Sequence, residues 1–162
     1  MANVNNPRGL DPVQPLLSMR RYPKSTAAAI YPGDAVILLT AGTVGVATAG
    51  SIELLGAAMQ YATAADTQIL VCDDPDQQYY IKDDGVGGTL ARTDVAKNAD
   101  LVVTAGSATY LKSAHSLDTS GATIAAAQLR ILNFHPDDEV GKYVRCRVVI
   151  NEHAFAKKTA GI

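Results

Sequence analysis

Apolar and polar residues alternate with a period of two along both halves of the stretch 127–155, AQLRILNFHPDDEVGKYVRCRVVINEHAF. Leu129 and Ile131 flank Arg130, while Val144, Cys146, Val148 and Ile150 alternate with Arg145 and Arg147. This is the pattern of strands with one buried face. Between the halves lies His135-Pro136-Asp137-Asp138, where the proline cannot donate to a ladder and the aspartates tolerate turn geometry. The stretch therefore predicts a long antiparallel hairpin with an elaborated loop.

Upstream, shorter β-rich runs at 35–39, 43–47, 52–59, 67–72, 77–82 and 101–104 are separated by turn signals such as Pro32-Gly33-Asp34, Asp73-Asp74-Pro75-Asp76 and the glycine-rich 83–88. Breaks at such close spacing predict an all-β domain, a compact β-sandwich or β-barrel with one or two short helices. The run 52–59 also has a composition that permits a helical turn or two, against which Gly56 counts. The best helix candidate is 93–99, where Thr93 or Asp94 can cap free amides. Residues 105–123 read as a long exposed loop with a brief strand at 110–112, and 156–162 as a frayed basic tail.

The first 32 residues break this texture. Pro7, Pro12, Pro15, Pro23 and Pro32 are five of the seven prolines in the chain, and they exclude helix and central strand alike. Residues 1–30 are thus expected to form an extended N-terminal arm, ordered against another chain, ahead of a β domain at 31–155 whose core owes little to it. The rival reading folds the arm back on its own domain. Because Arg8, Leu10, Leu16, Leu17, Met19, Arg20, Arg21 and Tyr22 combine apolar anchors with guanidinium groups, they are the candidate contacts with a partner's grooves and acidic rims. Arg130, Arg145 and Arg147 form a second candidate, a sheet face offered to an acidic neighbour, with a plain solvated face as the alternative.

Composition narrows the function classes. The 162 residues carry 14 basic and 16 acidic side chains, a net charge of −2 that argues against nucleic acid as the main partner. Charged residues make up only 19% of the chain and hydrophobic ones 48%, a balance suited to permanent protein contact and to a symmetric homo-oligomer, expected to be a trimer. No apolar run reaches the ~18 residues of a membrane span and no signal-peptide pattern opens the chain, so a cytoplasmic product with no membrane partner is expected.

Motifs for chemistry are sparse. Gly42-Thr43-Val44-Gly45 lacks the further glycine and the long helix of a nucleotide site. Asp73, Asp74, Asp76, Asp83 and Asp84 lack the alternating order of a calcium loop and read as solvated turn carboxylates. His115, His135 and His153 have no i+3 or i+4 partner for a metal and read as surface or hydrogen-bonded residues. Cys72 and Cys146 read as buried thiols, with a disulfide between them left open. No nucleophile elbow is present. The expectation is a protein without enzymatic activity or cofactor.

The opening MANVNNPRGLDPV, the run GDAVILL, the segments VCDDPDQQYYIKDDG and LARTDVAKNADLV, and the closing LRILNFHPDDEVGKYVRCRVVINEHAF together resemble the capsid decoration, or cement, proteins of tailed bacteriophages. The resemblance covers nearly the whole chain as texture and segment order, without a chemical motif. It implies a compact β domain, often trimeric, on the outside of the virion, contacting the major capsid protein with an arm over adjacent coat subunits after assembly in the host cytoplasm. Two rivals stand beside it. A head or tail fibre subunit that binds receptor would show an aromatic-lined groove, and a small hydrolase a pocket in which a histidine meets a carboxylate.

Overall fold

The computed structural model describes residues 3–25 and 28–156, and the expected tail at 157–162 lies outside them. Twelve short strands follow one another along the described residues. β1 (Asp11–Pro12) and β2 (Met19–Pro23) come from the proline-rich segment. The β-rich runs that follow become β3 (Ala35–Leu38), β4 (Val44–Val46), β5 (Gly56–Ala58), β6 (Gln68–Cys72) and β7 (Gln78–Lys82). Three two-residue strands come next, β8 (Asn98–Ala99), β9 (Leu101–Val102) and β10 (Ser116–Leu117). The predicted hairpin is β11 (Leu129–Phe134) and β12 (Arg145–Ile150).

The strands pair antiparallel into a first sheet ordered β1-β7-β12-β11-β8, a second ordered β2-β6-β5-β3-β4, and a small ladder of β9 with β10. The all-β expectation is met. The second sheet curls until its ends meet: Lys24, next after β2, bridges Val44 of β4, and Ser25 N donates to Val44 O at 2.9 Å. Two cores result. The larger lies on the inner face of the first sheet, where Tyr79, Ile81, Leu129, Ile131, Cys146 and Val148 meet Ala35, Ala57 and Cys72. The smaller fills the second sheet with Val36, Val44, Leu55, Ile69 and Val71. Because β5 lies between the two cores, with Ala57 in the larger and Ala58 in the smaller, it is buried at all three positions, and a strand of that kind reads as a continuous run without alternation. Gly56 is required in it, since a Cβ there would sit 1.9 Å from Cys72 O.

Three expectations need correction. The segment 93–99 is no α-helix: a 3-10 turn at Arg92–Asp94, held by Ala91 N donating to Asp94 at 2.8 Å, gives way to β8, whose Asn98 and Ala99 pair with Arg130 and Leu129. So short a helix has too few internal bonds to outweigh pairing with a sheet. Residues 105–123 are not an exposed loop throughout, because Ser113, His115, Ser116, Leu117 and Thr119 are buried. The expected strand at 110–112 reduces to a bridge between Ser107 and Lys112, with Tyr110 exposed.

The arm is the third correction. Its two strands extend one edge of each sheet of their own chain, with Asp11 opposite Tyr80 and Met19 opposite Cys72. Pro12 and Pro23 are tolerated there because an edge strand leaves one row of backbone groups unpaired. Gly9 N donates to His115 O at 3.1 Å and Leu10 N to Gly33 O at 2.8 Å, drawing Leu10 to 0% exposure in the larger core. Gly9 has φ +71°, and a Cβ on it would lie 2.1 Å from Gly33 O. The arm therefore supplies part of the core of its own domain and needs no other chain for its order.

Candidate functional site

Two side chains pin the arm along its length. Gln77, 1% exposed, accepts from Leu17 N at 3.0 Å and donates to Val13 O at 2.7 Å. Asp73, equally enclosed, accepts from Ser18 Oγ at 3.0 Å and from the Tyr22 hydroxyl at 2.5 Å, with Arg20 Nε 3.5 Å away. Desolvation, and then the bond to Asp73, push the Tyr22 phenol up to about 12. Of the candidate contacts, Leu10 belongs to the core, Leu16 and Tyr22 are half-buried, and Arg8, Leu17, Met19, Arg20 and Arg21 are exposed. Met19 and Arg21 stand exposed on β2, with Leu17 exposed two residues before it, while the intervening Ser18, Arg20 and Tyr22 turn to Asp73; β2 is an edge strand that along its length pairs with β6 alone among the described residues.

The three candidate arginines share the outer face of the first sheet. Arg145 and Arg147 alternate with buried Cys146 and Val148 on β12, and Arg130 stands opposite Val149. Their circumstances differ. Arg145 is held by Asp138 in a bidentate pair, with Nη2 to Oδ1 at 2.6 Å and Nε to Oδ2 at 3.0 Å. That pair holds the Asp138 carboxyl below the usual carboxylate range. Arg130 Nε donates to Asn98 Oδ1 at 3.0 Å. Arg147 Nε is buried without a hydrogen-bond partner. A bulge in β11 between Ile131 and Asn133 sets Asn133 opposite Arg147, with Tyr80 of β7 on the other side. A hollow of about 520 Å³ opens there, lined among others by Tyr80, Arg92, Asn133, His135 and Arg147.

The titratable groups singled out in the sequence are mostly structural. His115 and His153 are each 1% exposed, so of the surface and hydrogen-bonded alternatives they take the second. His115 Nδ1 accepts from Ala35 N at 3.2 Å, and its Nε2 lies 3.5 Å from Asp34 Oδ1, at ion-pair distance without hydrogen-bond geometry. Burial lowers its pKa and the Asp34 charge opposes that. His153 Nδ1 accepts from Phe155 N at 3.0 Å, and burial lowers its pKa as well. His135 is half-buried with its ring 4.9 Å from that of Tyr80. Asp73 and Asp83 are not solvated turn carboxylates: they are 2% and 1% exposed, and Asp83 accepts from Gly85 N at 2.7 Å and Tyr143 N at 3.0 Å. Cys72 and Cys146 are free and buried, each thiol pushed up by desolvation. Among the described residues no group of three or more histidine, cysteine or acidic side chains is placed to hold a metal, and no helix is long and apolar enough to cross a membrane.

Gln77, the buried Asp73, and the neighbours of Arg147 are the residues that sequence reasoning missed. Alternation along β7 sets Gln78, Tyr80 and Lys82 on the polar side, so a signal for outward placement existed. Which arginine they would face depends on cross-strand register, which the linear pattern does not carry. No protein-family model matches this chain, and a search of curated proteins likewise finds no match.

Proposed function

We propose that this is a non-enzymatic structural protein that binds the outer surface of a tailed-phage capsid, contacts the major capsid protein and stabilises the shell by clamping adjacent coat subunits. The observation that carries the reading is the strip along and just before β2, where Leu17 and Met19 remain 51% and 47% exposed beside Arg21, with Arg20 on the Asp73 side, although the backbone beneath them is pinned. A rigid strip loses little conformational entropy on docking. Each aliphatic side chain it buries is worth about 1.5–3 kcal/mol, more than the ~0–1 kcal/mol of an exposed ion pair. Pro23 and the two arginines discourage a partner from simply adding a strand to this edge, so the contact is made by side chains. Many equivalent sites on one shell multiply a modest energy per copy. The resemblance of the segment order to that of decoration proteins points to the same role, and a homotrimer on the virion exterior is its expected form.

Removing the whole arm would remove β1, β2 and Leu10 with it, so the test uses surface changes. Leu17→Ser with Met19→Ser, and separately Arg21→Glu, are mixed with undecorated capsids and the bound copies counted after sedimentation. The double serine variant is expected to melt like the parent and to bind roughly tenfold more weakly or worse. Undiminished binding would remove this strip as the contact.

A further inference from the structure

Two buried polar atoms on the outer face of the first sheet have no partner, and they are complementary. Arg147 Nε is a donor and Gln78 Oε1 an acceptor, and both residues line one hollow of about 160 Å³ with Val13 and Pro15. Buried polar groups are nearly always bonded, so an orphan pair at one place calls for a ligand that brings both an acceptor and a donor. Arg147 also lines the larger hollow of about 520 Å³, whose wall includes Pro136 and Val140. The guanidinium thus borders two hollows, each with apolar side chains in its wall, on a strand in the middle of the sheet. Its neighbour Arg145 is already satisfied by Asp138, which leaves Arg147 as the cation with an unused fork.

From this we infer that the Arg147 groove is a docking site for an extended acidic peptide segment of a partner protein. One aspartate or glutamate carboxylate meets Arg147, a backbone N–H of the same segment donates to Gln78 Oε1, and an apolar side chain on either side of the acid enters each hollow. A free inorganic anion would satisfy Arg147 and leave Gln78 Oε1 orphaned, and this favours a peptide. The carboxylate chemistry stands on the geometry alone. That the segment belongs to a protein coat rests on the proposed function.

The test needs no capsid. The Arg147 Nε–H resonance is followed by NMR while the isolated protein is titrated with acetyl-Val-Gly-Asp-Gly-Val-amide, with the same peptide carrying Asn for Asp, and with glucuronic acid. The acidic peptide should move that resonance and the Gln78 side-chain amide, bind roughly tenfold more tightly than the Asn peptide, and lose that advantage in Arg147→Met. Gln78→Met should weaken the acidic peptide by a smaller factor. Equal binding of the two peptides, or unchanged binding by Arg147→Met with parental thermal stability, would overturn the proposal. So would an Arg147 Nε–H already protected from exchange in the free protein and unmoved by every probe, since Gln78 would then be its partner. A stronger response to glucuronic acid than to the peptide would replace the protein partner with an acidic glycan. Leu17 of the attachment strip also borders the smaller hollow, so Arg21→Glu, which lines neither hollow, is the attachment variant that keeps the two tests apart: peptide binding lost with capsid attachment intact counts against this groove alone, and the reverse counts against the strip alone.

Discussion

Asp83 stands at the junction of three segments. Its carboxylate accepts from Gly85 N in its own turn, from Tyr143 N and Val144 N where the chain re-enters the last hairpin strand, and from Thr119 Oγ1. Asp83→Ala would orphan several buried donors at once and should cost about 3–5 kcal/mol in urea unfolding; a loss under about 1 kcal/mol would contradict this. Acid dependence belongs to the same scale. His115 and His153 are held neutral by burial, so their folded pKa values lie below that of the unfolded chain. The stability they contribute is present above the unfolded value of about 6.5 and is lost as pH falls from there through the folded values. Asp138, held low by Arg145, acts later, below about pH 4. Asp83, pushed up by burial, works in the opposite sense to both. The informative quantity is therefore the difference between the parent and His115→Asn with His153→Asn. The parent should lose more Tm between pH 7 and pH 5 than the double variant does, while the loss below pH 4 persists in both. Parallel curves would show that the histidines carry no linkage.

The elements show where sequence logic reached and where it stopped. β11 and β12 were legible because one face is buried and the other wet, so Leu129, Ile131, Cys146 and Val148 alternate with arginines. β3 and β6 were legible as apolar runs between turn signals. β1 was not, because two residues, one a proline, have no period to read and their partners in β7 lie far along the chain. The buried part of 105–123 was hidden for a related reason. Ser113, His115 and Thr119 are polar by type and buried because the backbone and Asp83 satisfy them, and no local pattern announces such pairing. The bulge at Asn133 and the register that sets Tyr80 beside Arg147 are equally non-local. At the arm, Leu10→Ala should cost about 2–5 kcal/mol as a core truncation. Gly9→Ala should destabilise too, through its positive φ and the Gly33 carbonyl. If denaturant midpoints of both variants match the parent, the arm is an appendage after all.

At the scale of the whole molecule, the β2 strip and the Arg147 groove adjoin, because Leu17 borders the smaller hollow beside Arg147. A sparsely charged surface that still exposes Ile52, Val86 and Ile124 leads the account to expect a symmetric assembly. Light scattering should give three times the chain mass for the free protein, or, if the free protein stays a monomer, threefold groups should be seen on the shell. The central claim is that the bound protein holds neighbouring coat subunits together, which makes shell strength the direct readout. DNA-filled capsids lacking the protein are heated with increasing amounts of it, and DNA release is followed by dye fluorescence. The account predicts that the release temperature rises and saturates when the surface sites are full, and that Leu17→Ser with Met19→Ser shifts the curve to higher concentration. A release temperature that stays constant while the protein is shown to be bound would contradict it.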